Sequence, residues 1–208
     1  QKWKELLVYG RSQLMGTAFE AQYGASIEPV PEEAILGIVP FATDVNFYTP
    51  GDTKEGYFLF LSRLTAYKGL AQALELAGER KLHLKIVPGL GHASHTVELE
   101  QHRPQIEAAI ARGAKIDVVA IPQTSQHHQL KRELYRRARA LLAPVQCHEP
   151  FGLTLIESLS CNTPVIASRM GAFPEIIKPG ETGFLCRNKA EYLEAIDQVG
   201  DLPAGAAR

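Results

Sequence analysis

"YFLFLSRLTAYKGLAQALELAGERKLHLKIV", residues 57–87, sets two short apolar runs on either side of a stretch with helical spacing. The runs "YFLFLS" (57–62) and "HLKIV" (83–87) read as buried strands, and "YKGLAQALELAGER" (67–80) as the helix joining them. The same alternation continues through "KIDVVAI" (115–121), "ALLAPV" (140–145) and "PVIAS" (164–168). Between and after these lie "HTVELEQHRPQIEAAIARG" (95–113), "HHQLKRELYRRARA" (127–140), "GLTLIESLSC" (152–161) and "KAEYLEAIDQVG" (189–200), all with helical spacing. Pro104 marks a break or a late start within the second helical stretch. Strands that are apolar throughout are buried on both faces, which calls for a parallel sheet with helices on each side. The expectation is an α/β fold, a Rossmann-like doubly wound parallel sheet.

A chain of 208 residues holds one ordinary domain with a core. Its net charge of −1 argues against a general nucleic-acid binder, which carries a basic excess. Three cysteines (Cys147, Cys161, Cys186) at unrelated spacings form neither a disulfide framework nor a zinc site. They suit a reducing compartment, and no run of about 18 apolar residues or secretory leader is seen. A soluble, cytoplasmic protein is expected. The first 55 or so residues break the pattern: "IVPFATDVNFYTPGDTKEG" has the Pro, Gly, Asp and Thr of a boundary. Residues 39–208 are therefore read as the main domain, and residues 1–38 as a remnant of something larger.

Ligands of an open parallel sheet bind beyond the carboxyl ends of its strands. At one such end stands "CHEPFGLTLIESLSCNTPVIAS" (147–168), with Glu149 before a helix start and Glu157 inside the helix. A helix N-terminus attracts anions, and Gly152 would let a phosphate approach the amides of Gly152, Leu153 and Thr154. The two glutamates would repel a diphosphate, so they must accept hydrogen bonds from neutral hydroxyls on either side of it. A nucleoside diphosphate sugar offers that arrangement. In the simpler alternative, Glu157 pairs with a nearby Lys or Arg and Glu149 favours the helix N-terminus. "LSRLTAYKGL" adds Arg63 and Lys68 after the first strand, either a solvated pair or a clamp for a leaving diphosphate.

Three stretches now carry a family resemblance. "EPFGLTLIESLSCNTPVIASRMGAFPEIIKPGETGFL" (149–185), "SRLTAYKGL" (62–70) and "VPFATDVNFYTP" (39–50) resemble blocks of the C-terminal, donor-binding domain of GT-B retaining glycosyltransferases of family 4. The resemblance covers roughly residues 39–199. It implies that Glu149 holds the donor sugar's hydroxyls and Glu157 the ribose hydroxyls. It also implies that the backbone of Phe151, Gly152, Leu153 and Thr154 holds the diphosphate, which Arg63 and Lys68 neutralise as it departs. The stretch from Thr124 to Lys131 would border the base, with Gln126 and Leu130 as contacts. The family implies no metal or other cofactor, and same-face attack guided by the departing phosphate. Glu149 is then a positioning group. The implied activity is hexosyl transfer to a glycan or small-molecule acceptor.

This sequence departs from the family pattern in places. Ser62, Asn162 and Ala172 stand where glycine is common, and the loop before Glu149 is one residue longer. Residues 1–38 are too short for the acceptor-binding domain, so efficient transfer is expected to need that missing N-terminal part. The competing readings are a nucleotide-sugar-binding module without transferase activity, and another nucleotide-sugar enzyme on the same fold.

Weaker signals have simpler explanations. "GLGH" (89–92) lacks a dinucleotide fingerprint's third Gly and later acid. The histidines read as surface groups rather than metal ligands, with contact to the donor as a second reading for His148, beside Glu149. The basic run Lys131, Arg132, Arg136, Arg137 and Arg139 reads as a solvated helix face, with peripheral contact to acidic lipid as the second reading. Cys161 and Cys186 read as inert core thiols.

Overall fold

The computed structural model describes residues 42–51, 53–89, 95–121, 124, 126–203, 205 and 207. Residues 1–38, the start of the main domain and most of "GLGH" lie outside the described residues. Six strands are seen among them: β1 (Phe58–Ser62), β2 (His83–Pro88), β3 (Lys115–Val118), β4 (Ala140–Ala143), β5 (Val165–Ser168) and β6 (Gly183–Cys186). All pair in parallel in the order β3-β2-β1-β4-β5-β6, with Phe58 opposite both Leu84 and Ala140. The Rossmann-like, doubly wound expectation holds. The connection order reverses between β1 and β4, which opens a crevice at their carboxyl ends.

The helices are α1 (Leu70–Arg80), α2 (His95–Gln101), α3 (Arg103–Ala111), α4 (His127–Arg137), α5 (Leu153–Ser160), α6 (Phe173–Ile176) and α7 (Lys189–Gln198). Pro104 sits in the first turn of α3, so the predicted stretch is two helices broken at His102. Alternate residues of β1 serve two cores. Phe58 and Phe60 pack with Leu74 of α1, Ala109 of α3 and Ile196 of α7. Leu59 packs on the opposite face with Tyr135 of α4, Leu155 of α5 and Phe173 of α6. That two-sided burial is why the central strands read as continuously apolar.

Two expectations need correction. β3 is an edge strand of four residues, with Lys115 and Val118 exposed, rather than a buried strand through Ile121. β6 was not foreseen: after Gly183 its apolar run is only Phe184, Leu185 and Cys186, too short to separate from loop. Asn162 lies at φ 53°, the left-handed conformation that asparagine tolerates, so its replacing glycine carries little strain. Ala172 has φ −78°, where a side chain is at ease.

The three cysteines are free and buried. Burial pushes the Cys161 and Cys186 thiols up to about 12, and raises Cys147 as well. All three thiols are expected to resist Ellman's reagent at pH 7.5 in the native chain and to react fully in denaturant. A fast-reacting native thiol would contradict this packing. No helix among the described residues is long and apolar enough to cross a membrane.

Candidate functional site

The crevice between β1 and β4 is a cleft of about 470 Å³. Its walls include Arg63 and Lys68 after β1, Glu149 to Thr154 after β4, and His127 and Lys131 of α4. Residues expected from two distant motifs therefore share one space. Ser62 and Phe173 also line it.

The floor is the start of α5. Gly152 caps it at φ 93°, which glycine adopts without penalty, and no side chain caps the first turn. A Cβ on Gly152 would lie 2.9 Å from the Phe173 ring, so this glycine is required by the α6 contact as well as by its φ. The loop before it is pinned. The Gln146 amide donates to the Tyr67 carbonyl (2.7 Å), Ser168 Oγ donates to the Val145 carbonyl (2.5 Å), and the Ala172 amide donates to the Glu149 carbonyl (2.9 Å).

Lys68 is buried and its ammonium donates to Glu149 Oε2. Glu149 Oε1 accepts no bond among the described residues. Arg63 is exposed, stands 6.0 Å from the centre of the Tyr67 ring, and meets no carboxylate among the described residues. One cation of the pair is thus committed and the other is open to an anion.

Glu157 is buried beneath the cleft and does not line it. Tyr48 donates to Oε1 (3.1 Å) and Tyr135 to Oε2 (3.0 Å), while Lys131 Nζ lies 2.7 Å from Oε1 and 2.5 Å from Oε2. The simpler alternative raised by the sequence, a lysine partner for Glu157, is therefore present in the structure. Burial first, and then the Glu157 charge, raises the pKa of both tyrosines, so they remain hydroxyl donors.

Gln126 and Leu130 are exposed and lie outside the lining; the register of α4 turns His127 and Lys131 to the cleft instead. The His127 ring meets the Thr124 carbonyl through Nδ1 (3.1 Å), which leaves Nε2 as the ring's other polar atom. Beside it, burial first, and then His127 and Lys131, lowers the pKa of His128. His148 is exposed and outside the lining.

Nor is the basic face of α4 simply solvated. Lys131 is held by Glu157, Arg136 by Glu133 and the Pro50 carbonyl, and Arg137 by Glu55. Arg132 lies 4.9 Å over the Phe47 ring. Tyr48 and Tyr135 were missed by the sequence reading. The one local hint was Tyr135, four residues after Lys131 on the same helix.

Comparison with known proteins follows the same lines. Residues 46–206 match the family model of glycosyl transferases group 1. Alpha-maltose-1-phosphate synthase of Mycolicibacterium smegmatis is 26% identical over 170 residues, covering 82% of this chain and 40% of that protein. A probable sucrose-phosphate synthase of Thermosipho melanesiensis is 31% identical over 196 residues, covering 88% and 44%. The chain thus spans less than half the length of these relatives. Among solved structures, Anabaena HepE in complex with UDP and glucose superimposes with a TM-score of 0.68 at 16% identity, covering 82% of this chain and 49% of that one. With most of its length inside the family model, the chain belongs to the group 1 glycosyl transferases.

Proposed function

We propose that this domain binds a nucleoside diphosphate sugar as the donor half of a retaining, metal-independent GT-B glycosyltransferase of family 4. The observation that carries the reading is convergence. Arg63, which meets no carboxylate among the described residues, a buried Lys68 and the start of α5, which no side chain caps, meet in one cleft, with Glu149 on its wall and Glu157 buried beneath it.

In this reading the amides from Phe151 to Thr154 hold the diphosphate, and Arg63 and Lys68 stabilise its growing charge as the sugar bond breaks. These cations supply the charge that a metal gives elsewhere. Glu149, oriented by Lys68, accepts the sugar's hydroxyls, and Glu157 those of the ribose. The base lies along the start of α4, where His127 lines the cleft. The acceptor enters through a second domain, and hexosyl transfer requires both. Three buried free thiols support a reducing, cytoplasmic setting. The UDP held by HepE makes UDP the first ligand to try.

Calorimetric titration with UDP, ADP and GDP tests the site. One diphosphate is expected to bind in the micromolar range, and Arg63→Ala to weaken it about tenfold or more, as loss of a charge-assisted contact does. If the folded chain binds none of the three, the donor-site assignment fails.

A further inference from the structure

The donor-site reading sends two ribose hydroxyls to Glu157, yet that carboxylate has no room for them. A carboxylate offers about four acceptor positions. Tyr48 and Tyr135 take one on each oxygen, and the single Lys131 nitrogen lies within bonding distance of both oxygens. The tyrosines come from the apolar core below, whereas Lys131 comes from the cleft wall. Lys131 therefore stands between Glu157 and any ligand. The tyrosines are locked in place by packing, but a lysine has a long, flexible stem and an ammonium that bonds in any direction. Withdrawal of that one nitrogen vacates one acceptor position on each carboxylate oxygen. A vicinal diol needs two such positions side by side.

The cleft also offers the ammonium a second place to go. Arg63 and Lys68 line the same cavity as Lys131, and the α5 N-terminus forms its floor. A diphosphate there carries more negative charge than one guanidinium neutralises, since Lys68 already answers Glu149.

We propose that Lys131 is an exchangeable cation of the nucleotide site. In the empty cleft it caps Glu157. When a nucleoside diphosphate enters, its ammonium passes to the diphosphate, and the ribose diol takes the two positions it leaves. The inference rests on the donor-site reading and adds the device that makes Glu157 available. It gives Lys131 opposite effects on the two parts of the ligand, attraction for the diphosphate and competition with the diol. A residue that merely held the fold would affect both parts alike.

The experiment uses this chain, whichever of UDP, ADP and GDP it binds, and the matching nucleoside, with amide-detected NMR titration to reach weak affinities. Lys131→Met is expected to weaken the diphosphate about tenfold or more, as loss of a bond to a charged group does, while the nucleoside binds about threefold tighter. Lys131→Gln keeps an N–H over Glu157 without the charge. It is expected to weaken the diphosphate similarly with no gain for the nucleoside. Equal losses for both ligands, or no change in either, would overturn the exchange. Should Lys131→Met fail to fold, Lys131→Gln alone decides. A diphosphate-to-nucleoside affinity ratio reduced about tenfold supports the exchange, and an unchanged ratio overturns it. If no diphosphate binds the wild-type chain, the donor-site reading falls and takes the exchange with it. If one binds with a ratio indifferent to Lys131, only the exchange falls.

Discussion

Glu157→Ala is expected to cost about 3–5 kcal/mol of folding stability, because it leaves a cation and two hydroxyls without their partner inside the protein. The side chain of Lys131 is 15% exposed and Tyr135 is wholly buried, so water cannot replace the carboxylate for both. In urea the midpoint should fall with little change in slope, and the melting temperature should drop by on the order of 10 °C. Glu157→Gln should cost less, since its amide oxygen still accepts from one tyrosine. A loss below about 1 kcal/mol for the alanine variant would mean that the three donors find other partners. The size of this effect matters for testing function. Lost nucleotide affinity in Glu157→Ala could come from a damaged fold, so it does not by itself locate the ribose. Arg63→Ala is the cleaner probe, because Arg63 is exposed and meets no carboxylate among the described residues.

Gly171→Ala is expected to be the other severe change. Gly171 has φ +56°, and a Cβ there would lie 2.3 Å from the Glu149 carbonyl oxygen and 2.5 Å from its nitrogen. Both neighbours are backbone, so no rotamer change relieves the contact. The loop carrying Glu149 must move, although Gln146, Ser168 and Ala172 hold it in place. Left-handed backbone costs about 1 kcal/mol and overpacking about 1–3 kcal/mol, so a loss of about 2–4 kcal/mol is expected. Nucleotide affinity should fall with it, because Glu149 and Lys68 move together. Gly180→Ala is the control: at φ +78° its Cβ would meet nothing within 4 Å. It should cost about 1 kcal/mol and leave binding unchanged. Equal losses at the two positions would show that crowding against Glu149 is not what matters.

Residues 57–87 made the fold legible because β1 is apolar from Phe58 to Leu61, β2 carries Leu84, Ile86 and Val87, and the helix between them keeps a clean spacing. β6 and α6 escaped for want of length. α6 spans barely one helical turn, and β6 offers only three apolar residues after Gly183, against the longer runs ALLAPV and PVIAS that marked β4 and β5. The positions of Glu149, Arg63 and Lys68 were legible because they follow strand ends, and a parallel sheet gathers strand ends along one edge. Their partners were not. Tyr48 meets Glu157 across 109 residues of sequence, and no local pattern announces a contact of that span. The residues of this helix that face the cleft lie one position along from the expected pair. Choosing Gln126 and Leu130 over His127 and Lys131 is an error of rotation about α4, which spacing alone does not fix when the helix carries so few apolar residues. The basic run misled for a related reason. Charge reads as exposure until Glu157, Glu133 and Glu55 are seen to answer it.

The place where β1 meets β4 has one more consequence. β1–β2–β3 is built from chain that lies close together, as is β4–β5–β6, and the two halves join through the pairing of Phe58 and Leu59 with Ala140 and Leu141 and through the packing of α1 on α7. The cleft straddles that seam, and the Lys68–Glu149 pair already ties positions 81 residues apart. A ligand gripped from both sides would act as a removable crosslink, opposing separation of the halves by an amount set by its concentration relative to its dissociation constant. Occupancy would then govern how readily the domain opens as well as what it can react with.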